Sequence, residues 1–258
     1  MKRHDRLNAL LDALAGTGEV DVEEMAARLA VSASTVRRDL NHLTEQQLVT
    51  RTRGGAVAAA VSYDLPMRYK APKHQHAKAR IGQAAARLVG NNDIIALNGG
   101  TTTTEVARNL ATRDAGGTTP AVTIVTNAIN IAGELTVRRH LKLVLTGGSV
   151  KARSFELIGP FAMDTLNQID LDLAVLGAEC LDPTGGVKAM DSDEAQISRL
   201  MAARARRVIV VADSSKLRAR GFARVCGWDQ VSVLVTDDQA PAADLETIRA
   251  AGVEIVTA

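Results

Sequence analysis

A chain of 258 residues allows one large domain, or a large and a small one; its 46% hydrophobic and 2% aromatic content specifies an aliphatic core. Its 31 Lys and Arg against 29 Asp and Glu leave a formal charge of +2, so any basic binding face must be local. Cys180 and Cys226 form neither a metal pattern nor a disulfide framework, Met1 to Asp5 is charged, and no apolar run could span a membrane. These features predict a cytoplasmic protein without a secretory signal.

Leu7, Leu10, Leu11 and Leu14 fall on one helical face, and Gly16 and Gly18 end that helix. Asp21 can cap a second helix, with Glu24 completing a capping-box-like pair. Val22, Met25, Ala26 and Leu29 give this helix its apolar face. Ser32 can cap a third helix with Val36, Leu40 and Leu43 inward and Ser34, Thr35, Arg37, Arg38 and Asn41 mostly outward. Two short helices joined by a tight turn match a helix-turn-helix. Leu48 to Gly55 then reads as a two-stranded wing, with Arg51 and Arg53 alternating with Thr50 and Thr52. Residues 1–55 hold eight basic and eight acidic residues, with the acids toward the first two helices and the bases toward the third helix and wing. That segregation supplies the local positive face that DNA binding needs.

Residues 58–76 read as a linker, with Pro66 and Pro72 discouraging regular structure. The basic cluster Arg68, Lys70, Lys73, His74, His76, Lys78 and Arg80 is expected to be a solvated stretch. His74 and His76 have no accompanying ligand cluster, so no metal is expected. From residue 77 onward helices and apolar strands alternate: Ile81 to Leu88 is helical. The strand candidates are Ile94–Leu97, Val122–Thr126, Leu141–Leu145, Leu173–Leu176, Val208–Ala212, Val231–Thr236 and Val253–Val256. This pattern predicts a parallel sheet with helices on both faces.

Ligands of such sheets bind at the carboxyl ends of strands, and polar or glycine motifs recur there. They are Asn98-Gly-Gly-Thr, Thr126-Asn127, Thr146-Gly-Gly148, Gly177-Ala-Glu179 and Asp213-Ser-Ser-Lys216. Gly99 and Gly100 permit a sharp turn, and Thr101 to Thr104 open a helix whose free N–H groups favour an anion. No Lys follows the glycines and the third glycine of a dinucleotide fingerprint is missing, so neither a P-loop nor a dinucleotide site is expected. The candidate ligand residues at these ends are Asn98, Gly99, Gly100, Thr101, Thr102, Thr103, Asn127, Gly147, Gly148, Glu179, Asp213 and Lys216. Amides and hydroxyls would take a phosphate, Lys216 would add charge, and carboxylates with Asn would take sugar hydroxyls.

Val31-Ser-Ala-Ser-Thr-Val-Arg-Arg-Asp-Leu40, followed by the wing and Arg53-Gly-Gly-Ala56, resembles the DeoR family of bacterial transcriptional regulators, and the resemblance extends over essentially the whole chain. It implies a winged helix-turn-helix over 1–57 and, over 77–258, an α/β sensor domain similar in fold to ribose-5-phosphate isomerase and coenzyme A transferases. It also implies DNA contact by Ser34, Thr35, Arg37 and Arg38, to which the cap, the outward face of the third helix and the wing add Ser32, Asn41, Arg51 and Arg53. It further implies a phosphorylated sugar as effector, with Glu194 among the residues that meet it. Asn98 and Ser198 stand where many members carry Asp and Lys. The Asn-Gly-Gly-Thr-Thr and Ser154-Phe-Glu-Leu-Ile-Gly-Pro160 stretches resemble a branch associated with amino-sugar or galactose-type catabolism.

The expected function is a repressor of a carbohydrate catabolism operon, released by a phosphorylated sugar and working without a cofactor. Its expected assembly is a homodimer or homotetramer on double-stranded operator DNA. The alternative is a phosphosugar isomerase with a DNA-binding appendage, for which Glu179, Asp191, Glu194 or Asp213 could serve as general base.

Overall fold

The computed structural model describes residues 3–45, 48–58, 74–113 and 122–258. The linker prolines and Arg68, Lys70 and Lys73 lie outside them. The chain divides into two compact units, Met1–Pro72 and Lys73–Ala258.

The first unit opens with α1 (Arg3–Thr17), β1 (Glu19–Asp21), α2 (Val22–Leu29) and α3 (Ala33–Glu45), followed by β2 (Val49–Arg51) and β3 (Gly55–Ala58). Leu7, Leu10, Leu11 and Leu14 are all buried, as their spacing requires. They pack with Val22, Met25, Val36, Leu40 and Leu43 into one aliphatic core. The Asp21 carboxylate accepts from the Glu23 and Glu24 amides at 2.8 and 3.1 Å, capping α2. The Ser32 hydroxyl accepts from the Thr35 amide at 3.3 Å at the start of α3.

The wing hairpin β2–β3 is present, and a third strand adds to it: β1 pairs with β3 antiparallel, Val20 opposite Ala56. A Cβ on Gly55 would land on the Val20 carbonyl, so this close pairing requires glycine. Three residues with one apolar side chain among them are too short for periodicity to reveal β1.

The second unit begins with α4 (Gln75–Arg87), β4 (Ile94–Leu97), α5 (Thr101–Ala111), β5 (Val122–Thr126), α6 (Ile129–Leu135) and β6 (Leu141–Leu145). A hairpin of β7 (Ser149–Lys151) and β8 (Glu156–Ile158) follows, then α7 (Pro160–Asn167) and β9 (Leu171–Gly177). Next come β10 (Cys180–Asp182), β11 (Gly186–Ala189), α8 (Ser192–Arg204), β12 (Ala205–Val211) and β13 (Ala223–Cys226). The unit ends with β14 (Val233–Thr236), α9 (Ala242–Ala250) and β15 (Glu254–Thr257).

Seven strands form one parallel sheet in the order β15-β14-β12-β9-β4-β5-β6, and they are the seven that the sequence predicts. Boundaries move at four: Leu171–Gly177 and Ala205–Val211 start earlier, Val231 ends a 3-10 turn instead of opening β14, and the last strand is Glu254–Thr257. Alternation along each strand builds two cores. Ala174 and Leu176 of β9 and Val208 and Val210 of β12 join one. Leu173, Val175, Ile209 and Val211 join the other.

Two antiparallel additions were not foreseen: the β7–β8 hairpin and a three-stranded sheet β10-β11-β13. Their strands are three or four residues long and lie among glycines and turn residues, so they read as loops in the sequence. In the main sheet the chain runs from β4 outward through β5 and β6, then returns to the other side of β4 with β9. The crevice where strand order reverses therefore lies at the carboxyl ends of β4 and β9.

Candidate nucleic-acid interface and ligand pocket

On α3, Ser34, Arg37, Arg38 and Asn41 are exposed and Thr35 is half-buried, matching the outward set that the sequence predicts. The Arg37 guanidinium donates to Glu23 at 2.9 Å. Both partners are exposed, so the pair is weak and leaves Arg37 exchangeable. The next acid in the run behaves differently. Asp39 is only 2% exposed and accepts from the Arg6 Nε at 2.7 Å and Nη2 at 3.3 Å. That bidentate bond outweighs burial and holds the Arg6 guanidinium above its ordinary pKa. In Arg37-Arg38-Asp39, two residues face solvent while the third fastens α3 to α1. The sequence reading did not single out Asp39; a carboxylate at the i+3 position from inward Val36 was the available signal. Ser32 is exposed, its hydroxyl 2.9 Å from those of Ser34 and Thr35. Arg53 is exposed in the wing turn and Arg51 is half-buried on β2.

In the second unit, Asn98 sits in the crevice between β4 and β9. It is 5% exposed, and its amide is fully directional: Oδ1 accepts from the Gly177 amide at 2.8 Å. Its Nδ2 donates to the Gly177 carbonyl at 3.1 Å and to the Ser198 hydroxyl at 3.0 Å. Gly100 has φ 141°, a backbone setting for glycine, and α5 starts directly after it. The hydroxyls of Thr103 and Thr104 donate to the Gly100 carbonyl at 3.0 and 2.7 Å. Thr101 and Thr102 keep hydroxyls not committed to that carbonyl, and the first-turn amides of α5 have no partner within the helix.

Asn127, fully buried after β5, donates through Nδ2 to the Glu156 carboxylate at 2.9 Å and to the Leu157 carbonyl at 3.1 Å. Glu156, on β8, lies so close to Gly99 that a Cβ there would land on the carboxylate. Glu156 is not among the predicted site residues, because its short hairpin does not show in the sequence. Gly147 and Gly148 have φ 74° and 121°, and a Cβ on Gly148 would lie 2.6 Å from the Ile158 carbonyl, so glycine lets the hairpin fold back.

A second group gathers at the start of α8. Asp191 caps the helix by accepting from the Asp193 and Glu194 amides at 3.0 and 3.1 Å, and it pairs with Lys151 of β7. Glu179 accepts from the Met190 amide at 2.9 Å. Burial pushes the Glu194 carboxyl above its ordinary pKa; the neighbouring Ser154 hydroxyl opposes this, while the charges of Glu179 and Asp191 add to it. Burial disfavours the Lys151 charge, yet the Asp191 hydrogen bond and the charges of Asp191, Glu194 and Asp193 together hold the ammonium above its ordinary pKa. Lys151 is thus a cation held at the start of α8. Asp213 turns into its own loop: it is buried and accepts from the amide and hydroxyl of Ser215, while Asp237 accepts from the Ser214 hydroxyl at 2.9 Å. Lys216 closes this turn, half-buried. The structure therefore joins Asn98 with Ser198, Asn127 with Glu156 at Gly99, and Asp191 with Lys151; Asp213 and Lys216 form their own loop on β12. Among the described residues, no group of three His, Cys, Asp or Glu is arranged to hold a metal ion.

Two protein-family models match the chain: a DeoR-like helix-turn-helix domain over residues 6–61 and the DeoR C terminal sensor domain over residues 73–238. The chain belongs to the DeoR family.

Relatives within the DeoR family span nearly its full length. The glycerol-3-phosphate regulon repressor of Escherichia coli K12 is 29% identical over 248 residues, covering 96% of each chain. A putative aga operon transcriptional repressor of Escherichia coli O157:H7 is 30% identical, covering 98% of this chain and 93% of its own. The transcriptional repressor GlcR of Bacillus subtilis is 30% identical, covering 99% and 96%. These relatives are repressors, not enzymes, and the isomerase alternative is set aside on that ground. Among solved structures, the sorbitol operon regulator SorC of Klebsiella pneumoniae overlaps 96% of this chain and 99% of its own, at 14% identity and a TM-score of 0.40. Ribose 5-phosphate isomerase A of Methanocaldococcus jannaschii overlaps 56% and 55%, at 20% identity and a TM-score of 0.42. The fold assignment rests on the winged helix-turn-helix and the seven-stranded parallel sheet themselves.

Against the DeoR pattern, the two departures meet in space: Asn98 donates directly to Ser198. The contact in this chain is a neutral hydrogen bond at 3.0 Å.

Proposed function

We propose that this DeoR-family regulator represses a carbohydrate catabolism operon and is released when a phosphorylated sugar or polyol binds the edge of its parallel sheet. The observation that carries the DNA half is the split in α3: exposed Arg37 and Arg38 beside a buried Asp39 that fixes the helix. Ser32, Ser34, Thr35, Asn41, Arg51 and Arg53 complete the DNA face. The sensor half is supported by the Gly99-Gly100-Thr turn at the crevice where strand order reverses, and by relatives named for glycerol 3-phosphate and the aga operon. First-turn amides of α5 with Thr101 and Thr102 take the phosphate, Lys216 supplies charge, and Asn127, Glu179 and Glu194 meet hydroxyls. We assign 1–57 to DNA reading, 58–76 to the linker and 77–258 to sensing. The assembly is a homodimer or homotetramer, because one small head reads only one half-site, and it works in the cytoplasm where the operon lies.

The test is a thermal-shift screen with glycerol 3-phosphate, glucose 6-phosphate, galactose 6-phosphate and glucosamine 6-phosphate, followed by operator titration with and without the best ligand. A ligand at 100 times its Kd stabilises the native state by about 2.7 kcal/mol. The expected result is stabilisation by one phosphate ester and weaker operator binding in its presence. Stabilisation by none of the four, or operator binding indifferent to the ligand, refutes the sensor assignment.

A further inference from the structure

The β7–β8 hairpin carries a carboxylate into the pocket for which the phosphate reading has no use. Glu156 is 5% exposed, bonded to Asn127, and pressed against Gly99, the residue that begins the proposed phosphate turn. Two backbone hydrogen bonds hold it there: the Leu157 amide donates to the Asn127 carbonyl at 2.7 Å and the Ile129 amide to the Phe155 carbonyl at 2.9 Å, which together make an antiparallel bridge between Glu156 and Ala128. Lys151 stands directly opposite Glu156 in the hairpin register and pairs with Asp191, which caps α8. One face of the hairpin thus presents a carboxylate to the glycine turn and an ammonium to the start of α8. A phosphate dianion against the same turn would meet the Glu156 charge at short range and in low dielectric, where like charges repel strongly.

We propose that Glu156 sets the affinity of the sensor by occupying the glycine turn as a resident carboxylate that the phosphate of the ligand must displace. This inference rests on the reading of the α5 turn as the phosphate site. It makes the hairpin the element that reports occupancy: once Glu156 leaves Gly99, its bond to Asn127 is lost and the strap loosens. The ligand's intrinsic affinity for the turn is therefore larger than the affinity measured, because part of it is spent on the displacement.

The test compares wild type with Glu156→Gln by calorimetric titration, using inorganic phosphate and the tightest phosphate ester of the screen above. Gln keeps the shape of the side chain and an oxygen that accepts from Asn127, and equal melting temperatures check that the fold is kept. The variant is expected to bind both probes about tenfold more tightly. Hydrogen exchange of amides 149–158 in wild type is expected to speed up when the ester binds. Unchanged or weaker binding of inorganic phosphate by Glu156→Gln overturns the inference, while tight ester binding by wild type shows that the phosphate site itself stands. Weaker binding of the ester alone makes Glu156 a hydroxyl-holding residue and also overturns it. Binding of neither probe to either protein overturns the phosphate reading and this inference with it.

Discussion

Asp39 and Asn98 are both buried polar residues, and each is fixed by partners far away in sequence. Asp39→Ala removes the bidentate bond that fastens α3 to α1 and is expected to destabilise the first unit by about 3 kcal/mol. Arg37→Ala and Arg38→Ala are expected to leave stability unchanged and to weaken operator binding, a base-reading Arg being worth about 1–3 kcal/mol of discrimination. Chemical denaturation and operator titration of the same variants separate the two roles; a stable Asp39→Ala protein would contradict the assignment. Asn98→Asp replaces a donor with a carboxylate oxygen facing the Gly177 carbonyl, at a cost of about 2–3 kcal/mol. Adding Ser198→Lys supplies a cation at the contact and should recover most of that loss, as a double-mutant cycle of melting temperatures would reveal. Glu194 gives a pH signature. Its folded pKa lies above its unfolded one, so its contribution to stability is fully present below a pH of ~4.3 and is lost as pH rises through the folded value. Glu194→Gln should therefore raise the melting temperature at pH 8 and leave it nearly unchanged at pH 4.

At the scale of elements, the helices of the first unit and the seven parallel strands were legible because each carries several apolar residues at a fixed period. Leu7 to Leu14 declares a helix, and Ile94 to Leu97 or Val208 to Val211 declares a strand buried on both faces. The elements that escaped, β1, β7, β8, β10, β11 and β13, are held by pairing with remote strands or by turn geometry, which short stretches of sequence do not display. This is why the positions of Glu156 and Lys151 beside Asn127 and Asp191 were not legible in the sequence, whereas Asn98, Gly99 and Asn127 follow directly from predicted strands. It is also why Thr103, chosen for its hydroxyl, turns out to donate to Gly100. The wing offers a test at this scale. Gly55→Ala should drive β1 away from β3, lower the melting temperature of the first unit and weaken operator binding, whereas Gly54→Ala faces only a contact at 3.6 Å to Asp21 and its own φ of 98°. Equal effects of the two substitutions on circular-dichroism melts would argue against β1 as a structural strand.

At the scale of the whole molecule, two units with separate cores predict that sensing and DNA reading can be lost separately. Thr102→Glu and Lys216→Ala should cut effector affinity while apo operator binding stays near that of wild type, so that these variants repress and do not respond. Linkage requires operator DNA to alter effector affinity in wild type by the same factor that the effector alters operator affinity, roughly 5–150-fold for a typical coupling. Operator DNA that left effector affinity unchanged would rule out coupling between the two sites. The position of the crevice also orders events in time. Asn98 and Gly177 meet across 79 residues of sequence, whereas every pairing of the first unit lies within its own short stretch. During synthesis the reading head is complete long before β9 leaves the ribosome to finish the pocket. A newborn chain thus passes through an interval in which its reading head is folded and its sensor is not, and ribosome-bound chains stalled before Leu171 should bind no sugar phosphate.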